Sequence, residues 1–198
     1  MTKFDFKDGN GPVPAHKHPN GGGWVADTAT VADTAYVGPD AKVFGTAWVS
    51  GNTQVFGTAW VYDSAWVSGN AKVSGNAVVS GNALVYDDAK VFGNAKVSGN
   101  AKVSGNAKVF GNAVVSGNAL VYDDAEVFGN AEVFGNATVS GNARVFGYAR
   151  VYDSALVYDT ATVYGSDSIY LGKFYHHKKT GCPEKDRIFI NGKWYVEE

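Results

Sequence analysis

Valine occupies every sixth position from Val25 to Val163, and no insertion or deletion interrupts these 24 valines. A second row runs from Ala29 to Ala161 at the same spacing, with Thr53 as its one residue that is not alanine. The repeating unit is therefore Val-x-(Gly/Asp)-(Asn/Asp/Ser/Thr)-Ala-x. A chain repeated this strictly predicts one structural unit stacked many times.

The residue types in this unit predict a short strand followed by a turn. Valine is β-branched and suits a strand in which its side chain points inward, so its two neighbours must point outward. Gly-Asn is typical of a turn, because both residues tolerate positive φ. A helix is excluded, since valines six apart do not share one helical face and a glycine in every hexad would cost about 1 kcal/mol. The pattern predicts a chain that turns a corner every six residues and stacks coil on coil.

This unit resembles the hexapeptide repeat of left-handed parallel β-helices. The run of Gly-Asn-Ala-x-Val-x units is similar, more narrowly, to YdcK-like hexapeptide proteins of bacteria and phages. The resemblance implies three hexads per triangular coil of about 18 residues, and hence about eight coils. The expected fold is thus an all-β, single-stranded left-handed parallel β-helix.

The repeat also divides the chain into three parts. Residues 1–23, rich in glycine and proline, predict an irregular N-terminal cap, and residues 24–165 form the solenoid. Residues 166–198 predict a C-terminal cap, in which Asn191-Gly192 between two apolar runs indicates a β-hairpin. Both ends need covers, because an open coil offers unpaired backbone groups to other chains.

Composition restricts the partners and the compartment. The formal net charge of −2 gives no global basic field, so nucleic acid is not favoured as a partner. No apolar run is long enough for a membrane span, and the first residues do not resemble a signal peptide. The expected location is the cytoplasm, or the virion or host cytoplasm for a phage-encoded chain. Cys182 is the only cysteine, so an internal disulfide is excluded.

Catalytic chemistry finds little support in the sequence. Hexapeptide-repeat acyltransferases and γ-class carbonic anhydrases use histidines, yet no histidine lies between Trp24 and Tyr164. The resemblance therefore carries no catalytic residue onto this chain. The histidines fall in two groups at opposite ends of the predicted prism, so we expect surface loop residues, no zinc site and no cofactor. They are His16, His18, His176 and His177.

The outward positions carry the remaining information. On the third face of each coil, the residue after valine is aromatic in most coils, which predicts an apolar interface. A self-supporting ladder of stacked rings is the alternative. The expected partner is a second copy, as a dimer or trimer, or another protein. The column comprises Phe56, Phe92, Phe110, Phe128, Phe146 and Tyr164.

Tryptophans form a second outward feature near the N-terminus. Trp48, Trp60 and Trp66 could bind a small ligand or a glycan, or they could cover the corner under the N-terminal segment. The sequence thus predicts a non-catalytic scaffold or binding protein, of which a phage-encoded inhibitor of a host protein would be one form. The alternatives are a hexapeptide-type acyltransferase and a small-ligand or glycan binder.

Overall fold

The computed structural model describes residues 2–176, 187–190 and 193–196. The regular secondary structure in these ranges consists of β-strands only. Among the described residues, no helix could cross a membrane. The strands form three long sheets, which are the three faces of a solenoid, and one separate two-stranded sheet.

Each face is a stack of parallel strands, most of them two residues long. The first face comprises Trp24–Ala26, Lys42–Val43, Trp60–Val61, Val78–Val79, Lys96–Val97, Val114–Val115, Glu132–Val133, Arg150–Val151 and Ser168–Ile169. The second face comprises Thr30–Val31, Trp48–Val49, Trp66–Val67, Leu84–Val85, Lys102–Val103, Leu120–Val121, Thr138–Val139, Leu156–Asp159 and Lys173–His176. The third face comprises Tyr36–Val37, Gln54–Val55, Lys72–Val73, Lys90–Val91, Lys108–Val109, Glu126–Val127, Arg144–Val145 and Thr162–Val163.

The pairing register confirms the stacked-coil prediction. Val67 pairs with Val85, and Val79 pairs with Val97, so one full coil separates each strand from its neighbour. Backbone bonds follow the same step, as when the Lys96 N–H donates to the Ala113 carbonyl at 2.9 Å. The fold is an all-β parallel solenoid of about eight coils. The left hand stays a prediction from the resemblance.

The core consists of the two repeated rows. Val97 and Ala101 are both fully buried, as the pattern predicts, and almost all members of their rows are equally inaccessible. Val31, in the first complete coil, is only partly buried. Stacking valine on valine and alanine on alanine fills the prism with small apolar side chains and leaves each outward neighbour free to vary.

The corners differ from the expectation in one respect. The first corner residue has positive φ, 68° at Gly99 and 59° at Asp87, whereas the following asparagines do not. Asparagines stack instead into ladders, in which the side-chain N–H of one donates to the side-chain oxygen one coil on at 2.8–3.2 Å. The two longest ladders are Asn76–Asn94–Asn112–Asn130 and Asn82–Asn100–Asn118–Asn136.

The N-terminal segment is not irregular, contrary to the sequence prediction. Strands Lys3–Asp5 and Pro12–Lys17 form an antiparallel hairpin, and the second strand continues onto Trp24–Ala26 of the first face. The prediction rests on the glycine and proline content of residues 1–23, and proline limits strand pairing only through its missing backbone donor. The Pro14 carbonyl nevertheless accepts from the Asp27 N–H at 3.0 Å. The open end of the first face is thereby paired.

The coil continues past residue 165 at the other end. Ser168–Ile169 pairs with Arg150–Val151, and Lys173–His176 pairs with Leu156–Asp159. Arg187–Ile190 and Lys193–Val196 pair antiparallel, in the region where the sequence predicts a C-terminal hairpin. The predicted turn, Asn191-Gly192, lies outside the described residues.

Thr53 is the one defect in the alanine row, and its removal is expected to stabilise the protein. Its side chain is fully buried, and among the described residues nothing bonds its hydroxyl. An unsatisfied buried hydroxyl costs about 1–3 kcal/mol. Thr53→Val keeps the volume and should raise the free energy of unfolding by about that amount, measured by urea denaturation. Thr53→Ser keeps the hydroxyl and should give no gain; an equal gain would contradict this explanation.

Candidate functional site

The third face carries a continuous stack of aromatic rings, which we call the aromatic ladder (Phe92, Phe110, Phe128, Phe146 and Tyr164). Successive ring centroids lie 4.8 Å apart through the first four rings and 5.7 Å apart at the last step. The phenylalanines are half-buried, whereas Tyr164 is 58% exposed. The self-supporting ladder of stacked rings is therefore present in the structure, and the rings still present apolar area to solvent.

Phe56 belongs to the same column but stands apart from the ladder. It is exposed, and Ser74 lies between it and Phe92 in the column. The structure therefore groups five of the six predicted interface residues and leaves Phe56 alone near the N-terminal end.

A column of charged side chains runs beside the aromatic ladder on the same face. We call it the charged column, and it comprises Lys72, Lys90, Lys108, Glu126 and Arg144. Glu126 accepts from Lys108 at 2.9 Å and pairs with Arg144 at 3.3 Å. The Lys108 hydrogen bond lowers the pKa of Glu126 more than partial burial raises it. Lys72 and Lys90 are exposed and form no ion pair with the described residues.

The two columns are in contact. The Arg144 guanidinium lies 5.1 Å from the Phe128 ring centroid and 5.7 Å from that of Phe146. A groove follows the charged column along the corner shared with the second face. Its other wall is a row of amides and carboxylates, Asn70, Asp88, Asn106, Asp124 and Asn142. The third face is thus amphipathic, with an apolar stripe beside a mainly cationic one.

Stacking also limits what the rings can bind. A base stacks on the face of an aromatic ring, but both faces of Phe110 are occupied by Phe92 and Phe128. The interior rings can offer only their edges to a partner. This geometry suits contact with another packed protein surface and does not suit base stacking.

The tryptophans separate into two groups. Trp48 and Trp66 stack on the second face at 5.4 Å and remain 46% and 45% exposed. Trp60 belongs to an aromatic cluster beneath the N-terminal hairpin, where it lies edge-on to Phe44, and Phe44 in turn stacks on Phe6. The structure therefore does not bring the three predicted ligand-binding tryptophans together.

The histidines also differ from one another. His16 is exposed and its Nδ1 lies 2.8 Å from the Asp27 carboxylate. His18 is buried, contrary to the expectation of a surface loop residue, because the turn around Asn20 folds over it. Within the described residues, no group of three or more His, Cys, Asp or Glu side chains could hold a metal ion. His177 and Cys182 lie outside the described residues.

Comparison with known proteins agrees with this architecture. The model of the YdcK β-solenoid repeat matches residues 71–87 and 139–153. These two segments are similar to the YdcK β-solenoid repeat, so the chain contains YdcK-like repeats. No curated protein and no solved structure matches it. The YdcK-like repeat accounts for the coils and corners, so function has to be sought in the outward side chains that vary between coils.

Sequence reasoning missed part of this surface. The aromatic column by itself does not show that lysines of the third face lie two residues before the rings Phe92 and Phe110. Reading both outward positions of each hexad together would have shown the pairs Lys90/Phe92 and Lys108/Phe110. The contact of Arg144 with two rings depends on side-chain direction, which no spacing indicates.

Proposed function

We propose that this protein is a non-catalytic binding scaffold whose third face docks another protein. The observation that supports the proposal best is the aromatic ladder beside the charged column. Its rings remain partly exposed although they stack, and contiguous exposed apolar surface marks association sites in soluble proteins. A rigid solenoid presents such a surface without any loop having to be ordered on binding.

The charges favour a partner different from the chain itself. The charged column has four cations and one acid, and Lys72 and Lys90 are exposed without an ion pair among the described residues. Two third faces packed together would bring cations against cations, which is costly at an interface. A protein surface with apolar and acidic side chains fits better. Inhibition of a host protein by a phage-encoded chain would be one form of this function.

The alternatives receive less support from the geometry. An acyltransferase of the hexapeptide type needs a general base, and the histidine-free sequence from Trp24 to Tyr164 offers none of the family kind. A glycan platform needs exposed ring faces, whereas Trp48 and Trp66 turn one face each toward the other. Binding of acetyl-CoA, measured by calorimetry, would favour the transferase.

Phe110→Asp with Phe128→Asp is expected to abolish capture of the partner while leaving the fold intact. Both side chains point away from the core, and the change places two carboxylates in the centre of the apolar stripe. The measurement is affinity capture from a lysate of the native host, with identification of proteins that wild type retains and the variant loses. Circular dichroism checks that the variant is folded.

A matched control substitutes the same positions on another face. Ser98→Asp with Ser116→Asp adds the same charges one coil apart at the equivalent place on the first face, and should retain the partner. Loss of the same protein from both variants, or from neither, would contradict a third-face docking site. If the third-face variant instead halves the mass of a wild-type oligomer, the partner is a second copy.

A further inference from the structure

We infer that the second face joins two copies of this chain in an antiparallel dimer. This inference does not rest on the proposed function, which concerns the third face. In each coil of the second face, the residue before valine points outward. Over the eight full coils, Lys102 is the one charged residue at this position. The other residues in that column are Thr30, Trp48, Trp66, Leu84, Leu120, Thr138 and Leu156.

Over the five coils from Leu84 to Leu156, bulky and smaller side chains alternate on this face with a period of two coils. Leu84 and Tyr86 lie in one coil, Lys102 and Ser104 in the next, and the bulky pair returns at Leu120. Tyr122 is exposed, whereas Ser140 in the following coil is almost buried. The surface therefore has ridges about 9.6 Å apart, which is twice the strand spacing. A partner that packs between the ridges of Tyr86, Tyr122 and Tyr158 must offer small side chains at the same spacing, and a second copy does.

Symmetry then decides the orientation of the two copies. A two-fold axis between packed faces lies in the plane of the interface. If it runs along the solenoid, each coil meets the same coil of its partner, so the bulky coil of Leu84 and Tyr86 meets itself and the ridges collide. If it runs along the strands, the solenoids are antiparallel and ridges can face spaces.

One antiparallel register uses all eight full coils of the face. With the axis between the coils of Leu84 and Lys102, all eight coils of one copy lie over coils of the other. In the column of residues after valine, which we call the tyrosine column, every tyrosine then faces a serine or alanine of the other copy. In the column of residues before valine, which we call the strand column, the charged Lys102 faces Leu84. The opposed pairs in the tyrosine column are Tyr86/Ser104, Tyr122/Ser68, Tyr158/Ala32 and Ser140/Ser50, and those in the strand column are Leu84/Lys102, Leu120/Trp66, Thr138/Trp48 and Leu156/Thr30.

The area is sufficient for a dimer of modest affinity. Eight coils at about 4.8 Å give a length of roughly 38 Å. Each hexad forms one side of the coil and one corner, so a face is roughly 15 Å wide. The dimer would bury roughly 1,100 Å² in total, near the lower end of specific interfaces. This area includes three leucines and the exposed pair Trp48 and Trp66.

The test is the molar mass of purified protein by light scattering at tens of micromolar. Wild type is expected at twice the 20.9 kDa chain mass, and Leu84→Glu with Leu120→Glu at the chain mass itself. Val78→Glu with Val114→Glu puts the same charges on the same outward position of the first face and should remain dimeric. Glu126 and Glu132 occupy this position naturally, so the fold should tolerate all four changes.

Orientation is tested by cross-linking in a Cys182→Ser background. Ser50→Cys protein mixed with Thr138→Cys protein should be joined by a short bis-maleimide, and neither protein alone should be. Cross-linking of Ser50→Cys alone would indicate parallel copies and overturn the register. A monomeric wild type, or a second-face variant with the wild-type mass, would overturn the dimer. Dissociation by Phe110→Asp with Phe128→Asp alone would overturn it too, while supporting the third face as the contact.

Discussion

Val97→Asp is expected to unfold the solenoid. Val97 is fully buried between Val79 and Val115 in the valine row of the first face, and the row around it is apolar. An aspartate there would be an unpaired charge in the core, a class of change that costs more than about 4 kcal/mol. Typical domains are stable by about 5–15 kcal/mol, so most of the stability should be lost.

Circular dichroism and urea denaturation of the variant measure this effect. Lys96→Asp is the matched control, since Lys96 is the exposed neighbour in the same strand and its replacement should leave the fold intact. A Val97→Asp protein with the wild-type spectrum and midpoint would contradict the assignment of the valine row to the core.

Gly99→Val is expected to cost several kcal/mol at a corner. Gly99 has φ of 68°, and a Cβ placed on it would lie 2.9 Å from the Gly117 nitrogen of the next coil. A left-handed conformation costs an L-residue about 1–2 kcal/mol, and a β-branched side chain fits it least well. The close approach to backbone atoms adds to this, because neither coil can move without opening the hydrogen bond between Asn100 and the Gly117 carbonyl.

Aspartate at the same position separates the two effects. Asp87 adopts φ of 59°, and its carboxylate accepts from the Gly105 N–H of the next coil at 3.1 Å. Gly99→Asp could form the same bond to Gly117 and should be much less destabilising than Gly99→Val. Equal midpoints for the two variants in urea denaturation would show that corner geometry does not limit stability.

The two kinds of surface differ in how well the sequence predicts them. The aromatic ladder is predictable, because a residue in register repeats once per coil and the coils stack directly. The packing of Trp60 with Phe44 and Phe6 cannot be predicted in this way. It depends on where the N-terminal hairpin, which lacks the hexad repeat, folds back onto the solenoid. The buried position of His18 has the same origin, since it lies in the connection between that hairpin and the first coil.

The sequence by itself determined the coil, the inward rows of valine and alanine, and the columns of outward residues. A strict period leaves one register in which the valine row faces the core, so local pattern and global fold agree. Tertiary structure alone decided the pairing of residues 3–17 with the first face and the contact of Arg144 with the aromatic ladder. The first depends on a segment outside the repeat and the second on the direction of one side chain. Neither can be inferred from the period of the coils.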